Sequence, residues 1–85
     1  MRVEEEIGQK LQAAFSPKHL EVIDESDQHI GHAGYREGGQ SHFRVVIRAD
    51  EFGPMTRIAR HRAIHSALGS DLIGRIHALA LDIDA

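Results

Sequence analysis

Ser41-His42-Phe43-Arg44-Val45-Val46-Ile47-Arg48 is the stretch on which the fold turns. Successive side chains of an extended chain point to opposite sides, so Phe43, Val45 and Ile47 share one face while Arg44 and Arg48 share the other. That alternation predicts a half-buried strand over 41–48. Toward the C-terminus, Phe52-Gly53-Pro54 breaks the chain, and Pro54 can open a helix because its missing N–H would be unpaired in a first turn anyway. From Thr56 onward, Arg60, Ala63, Ile64, Ala67 and Leu68 mark the buried stripe of a helix, with Gly69 as its C-terminal cap. Ser70 starts one short further turn through Asp71, Leu72 and Ile73. Ile76 to Ile83, reading IHALALDI, then forms another strand. A helical connection of this length lets the two strands pair in parallel, with a right-handed crossover.

Toward the N-terminus, Leu20 to Asp24 makes a short strand with partial alternation. Between it and Ser41 lies a polar segment, 25–40, that holds four of the eight glycines. Connections of that length are usually functional or mobile, and this segment is the natural place for chemistry. Further upstream, Val3, Ile7, Leu11, Ala14 and Phe15 recur at helical spacing. Glu4, Glu5 and Glu6 occupy the first turn, where the positive end of the helix dipole favours carboxylates. Ser16 precedes Pro17, which disfavours helical geometry at Ser16, so the helix should run over 3–15. The expected order is αββα(α)β: an α+β fold in a single domain over 1–85, with a three-stranded mixed sheet and its helices on one face.

Composition removes whole classes of function. Hydrophobic residues make up 41% of the 85 and charged residues 27%, the proportions of a globular chain rather than of a disordered one or a membrane span. There is no cysteine. Disulfide scaffolds are therefore excluded, and the chain has no thiolate of its own for a zinc ribbon, an iron-sulfur centre or a redox cycle. Any soft-metal chemistry must borrow sulfur from a partner. A net charge of −3 opposes diffuse attraction to a polyanion, although a local basic patch is compatible with it. The first residues, Met1-Arg2-Val3-Glu4-Glu5-Glu6, carry no secretory apolar core, and the expectation is a cytoplasmic protein that avoids the membrane.

Seven histidines stand out in a cysteine-free chain: His19, His29, His32, His42, His61, His65 and His77. Neutral imidazole binds metal without any thiolate. His61 and His65 are spaced i, i+4, but Arg62, Ala63 and Ile64 lie between them, and the general base of an HExxH zinc protease is missing. They are expected as surface or supporting residues. His42 is expected to be structural, or to orient a nearby loop. No nucleophile elbow surrounds Ser26, Ser41, Ser66 or Ser70, and the adjacent Asp24 and Glu25 point apart at a strand end, so no enzyme is expected.

Several of these pieces together resemble a known family. Asp24-Glu25-Ser26 with His29, then Ser41-His42-Phe43-Arg44-Val45, Phe52, Arg60-His61-Arg62 and finally His77-Ala78-Leu79-Ala80-Leu81 are similar, in this order and nearly end to end, to the BolA family. The resemblance implies a class II KH-like fold. It also implies a non-enzymatic adaptor in iron homeostasis or cluster trafficking, whose partner is a monothiol glutaredoxin. The two proteins would share a 2Fe-2S cluster held on the far side by the glutaredoxin's cysteine and glutathione. On this side the family position falls on His77 and on a residue of the polar segment, His29, with His32 as its rival. Imidazole in place of thiolate removes negative charge and raises the cluster's reduction potential. It also makes the cluster labile in acid, because protonated imidazole cannot bind metal.

The alternative reading is a KH-like transcriptional regulator that contacts DNA through Arg57, Arg62, Arg44 and Arg48. Stacking platforms for bases are scarce, since Phe15, Phe43 and Phe52 read as core and leave only Tyr35. Arg60 falls on the buried stripe and is expected to pair structurally.

Overall fold

The alternating stretch is the central strand of the sheet, and its apolar face carries the core. The computed structural model describes residues 2–25 and 42–85. Helix α1 (Val3–Phe15) leads into strand β1 (His19–Asp24). Strand β2 (His42–Arg48) is followed by a 3-10 turn at Asp50–Phe52. Helices α2 (Arg57–Leu68) and α3 (Ser70–Arg75) then lead to strand β3 (Ala78–Asp84). The sheet order is β1-β2-β3. Strand β1 pairs antiparallel with β2, and β3 joins β2 in parallel across the helical crossover. The α+β class, the element order and the mixed sheet all agree with the sequence pattern.

Register explains where the core lies. Phe43, Val45 and Ile47 sit opposite Leu79, Leu81 and Ile83, so the apolar faces of β2 and β3 coincide. Beneath them pack Ile7 and Leu11 of α1, Ile64 and Leu68 of α2, and Leu72 of α3. Phe52, fully buried, meets Phe15 with ring centroids 5.0 Å apart and planes tilted by 48°. The opposite face of β2 carries Arg44, Val46 and Arg48, which are exposed or half-buried.

Local chemistry sets the ends of the helices. Helix α1 stops at Ser16, as the following proline requires. Ser16 takes the left-handed conformation (φ 47°, ψ 55°) rather than an extended one, and its N–H donates to the Gln12 carbonyl at 3.1 Å. Pro54 is not the first residue of a helix. It lies in a turn following the 3-10 segment, in which Gly53 and Met55 donate backwards to Asp50 and Phe52. Thr56 caps α2 instead, its Oγ1 accepting from the Ala59 N–H at 3.1 Å. Gly69 ends α2 and begins α3 at φ 85°, ψ 153°, a backbone conformation essentially confined to glycine.

One boundary moves in a way that matters for function. Strand β3 begins at Ala78 rather than Ile76, because the parallel ladder with β2 starts where Ala78 faces His42. Ile76 is buried at the end of α3, and His77 occupies the bend between that anchor and the strand. Among the described residues, no helix is long and apolar enough to cross a membrane.

Candidate functional site

Three strand ends meet at one end of the sheet. Strand β1 finishes there, β2 starts there, and parallel pairing brings the start of β3 alongside. The Glu25 N–H donates to the His42 carbonyl at 2.8 Å, which ties the end of β1 to the start of β2. His29 and His32 lie within that segment, outside the described residues.

His77 stands at the same end, with an exposed side chain on the bend that enters β3. Its ring lies against that of His42, with centroids 4.9 Å apart and planes tilted by 52°. The two imidazoles differ sharply in environment, since His42 is only 4% exposed. One histidine therefore belongs to the protein body while its neighbour faces solvent. Considered as separate local patterns, SHF and IHA give no hint of this contact. The signal that finds it is the parallel pairing of the two strands, which lays their first residues side by side.

Charged groups rim the end of the sheet. The Arg44 Nε donates to Glu25 Oε2 at 3.0 Å, and a guanidinium nitrogen of Arg2 lies 3.7 Å from Asp24. Among the described residues, no three of His, Asp and Glu come together to hold a metal ion. A metal at His77 therefore needs further ligands from outside the described residues or from another molecule.

The four arginines of the nucleic-acid alternative differ in their surroundings. Arg44 is paired with Glu25, and Arg48 with Asp82 at 3.2 Å while also donating to the Ile47 and Asp82 carbonyls. Arg57 and Arg62 stand exposed on α2 and make no ion pair among the described residues. Arg57 and His61 line both a cleft of about 590 Å³ that includes Arg44 and Arg60 and an adjoining groove of about 440 Å³ that includes Arg62 and the exposed Ile58. Arg48 lines neither cleft. Arg60 is structural, as its place on the buried stripe suggests, donating to the carbonyls of Phe52 and Ile83. His65 places its Nδ1 2.8 Å from the His61 carbonyl, within its own helix. The chain does carry one Gly-x-x-Gly spacing of the kind that clamps phosphates in KH domains, Gly31-His32-Ala33-Gly34, outside the described residues.

Comparison with known proteins gives a consistent result. A family profile described as BolA-like protein matches residues 11–85. The DNA-binding transcriptional regulator BolA of Escherichia coli is 46% identical over 81 residues, which cover 95% of this chain and 73% of that one. Among solved structures, BolA1 from Arabidopsis thaliana superposes with a TM-score of 0.79 at 32% identity, covering 95% of this chain and 88% of the other. The BolA domain of SufE1 from the same plant gives 0.79 at 34% identity with the same coverage.

Proposed function

This chain belongs to the BolA family, and on that premise we propose that it is a non-enzymatic adaptor that docks a monothiol glutaredoxin and co-ligates a shared 2Fe-2S cluster. The observation that carries the proposal is the exposed imidazole of His77, set at the meeting point of three strand ends and seated on the buried ring of His42. In a chain without cysteine the donor set suits the role: imidazole completes a cluster whose sulfur ligands come from the partner and from glutathione. His77 would hold one position and His29 a second, with His32 as the alternative. The cluster, when bound, supplies one-electron chemistry. The chain's own contribution is to present neutral imidazole and, through the strand ends around it, a surface for the partner.

The test is optical. Mixing the protein with cluster-loaded monothiol glutaredoxin and glutathione should change the visible spectrum. His77→Ala should abolish that change while leaving the far-ultraviolet circular dichroism intact. A spectrum unaltered by the wild-type chain overturns the proposal, and heterodimer formation that is indifferent to both metal and His77 points to docking without a cluster.

A second reading, DNA-binding transcriptional control, is supported by the E. coli relative and by the exposed Arg57 and Arg62. It requires an affinity whose logarithm falls with log salt, by about 0.9 per phosphate neutralised on a duplex. Arg57→Ala or Arg62→Ala should each reduce that slope by about 1. Absent or salt-independent binding removes this reading.

A further inference from the structure

We infer that His42 is a positioning residue for His77, its buried ring holding the exposed imidazole in the orientation from which His77 grips a metal. This rests on the reading of His77 as a ligand given above. Three observations carry it. First, the rings are in contact, at 4.9 Å between centroids and 52° between planes, within the range of tilted aromatic pairs that attract beyond simple area burial. Second, the contact is asymmetric: His42 is 4% exposed and flanked by the core residue Phe43, whereas His77 lies at the surface on a bend outside the strand ladder. Third, His42 is fixed through its backbone, since it faces Ala78 across the parallel ladder and its carbonyl accepts from the Glu25 N–H.

An imidazole on a surface bend ordinarily samples several rotamers, and ligation must freeze one of them. A rigid ring beneath it removes alternatives in advance and so lowers the ordering cost of binding. Groups that orient a metal-ligating histidine typically change metal affinity 10- to 100-fold when removed. Here that orientation comes from ring packing, with the supporting side chain held by the sheet.

The role is separable from that of a second ligand, because phenylalanine keeps a ring at position 42 and removes both nitrogens. In the metal-free protein, side-chain couplings measured by NMR should report one dominant His77 rotamer in the wild type and in His42→Phe, and averaged rotamers in His42→Ala and His42→Leu. Transferred to the complex with cluster-loaded glutaredoxin, the Ala and Leu variants should lose the cluster about 10- to 100-fold faster, and Phe should restore most of its lifetime. Wild-type rotamer populations in His42→Ala or His42→Leu overturn the inference. So does a Phe variant that loses the cluster as fast as Ala, which would make His42 a ligand. If the wild type takes up no cluster, the proposed function fails, and the metal-free couplings still decide whether His42 sets the rotamer of His77.

Discussion

The guanidinium of Arg60, on α2, donates to the backbone carbonyl of Ile83 near the end of β3 at 3.1 Å. Its Nε donates at the same time to the Phe52 carbonyl at 2.9 Å, and Asp84 lies 3.6 Å away. One side chain thus ties the crossover helix, the 3-10 turn and the edge strand together. Hydrogen bonds from a charged donor contribute about 1.5–3 kcal/mol each, and the Arg60 side chain is only 21% exposed. Arg60→Ala should therefore destabilise the fold by about 2–4 kcal/mol in urea denaturation. Arg60→Lys, which lacks the fork needed to reach two carbonyls, should recover less than half of that.

Phe52 tests the core in the same region. It is fully buried against Phe15, so Phe52→Ala should cost about 3–5 kcal/mol. For a domain of this length the total stability is about 4–13 kcal/mol, so that loss should lower the thermal midpoint steeply. Ile58, 65% exposed on α2, is the control, and Ile58→Ala should move the midpoint little.

Gly69 offers a test of backbone conformation alone. A methyl group added there meets nothing within 4 Å, yet φ is 85°. Gly69→Ala should cost about 1–3 kcal/mol from conformational strain and not from a clash. Calorimetric unfolding of the variant, with its circular dichroism unchanged, is the measurement. An unaltered midpoint would mean that the α2–α3 junction relaxes freely.

Arg75 and Glu6 connect the end of α3 to the start of α1, with a guanidinium nitrogen 2.8 Å from the carboxylate. The hydrogen bond from Arg75 holds the Glu6 carboxyl below its usual range, against a smaller opposing effect of desolvation. A carboxyl whose folded pKa is depressed adds stability above its unfolded value and loses it as pH falls through the folded one. Arg75→Gln should therefore lower stability at neutral pH. The gap to the wild type should close in acid as Glu6 protonates. Denaturation midpoints measured across that range check the sign.

Much of the fold was legible in local pattern. The period-two alternation of Phe43, Val45 and Ile47 and the helical spacing of Ile7 with Leu11 and of Ile64 with Leu68 each depend only on near neighbours in the chain, so the elements and the core follow from them. The structural role of Arg60 was legible too, as a charge placed on an otherwise apolar stripe. Less legible were the turn around Pro54 and the start of β3. The first depends on the preceding 3-10 segment. The second depends on where a distant strand begins to pair.

At the strand ends, the amino-acid sequence alone determined which donors are available: seven histidines, no cysteine, and a His77-Ala78-Leu79 stretch that resembles the BolA pattern. It also determined that two strands separated by a helical crossover could lie in parallel. Only the tertiary structure decided that His42, 35 positions before His77 (77 − 42), would become the ring on which His77 rests. It likewise decided that Arg44 and Arg48 would be paired with carboxylates while Arg57 and Arg62 stand exposed on α2. The reason is one of range. Periodicity and capping are settled within a few residues, whereas a ring contact or an ion pair between elements depends on how strands register after the chain has closed on itself.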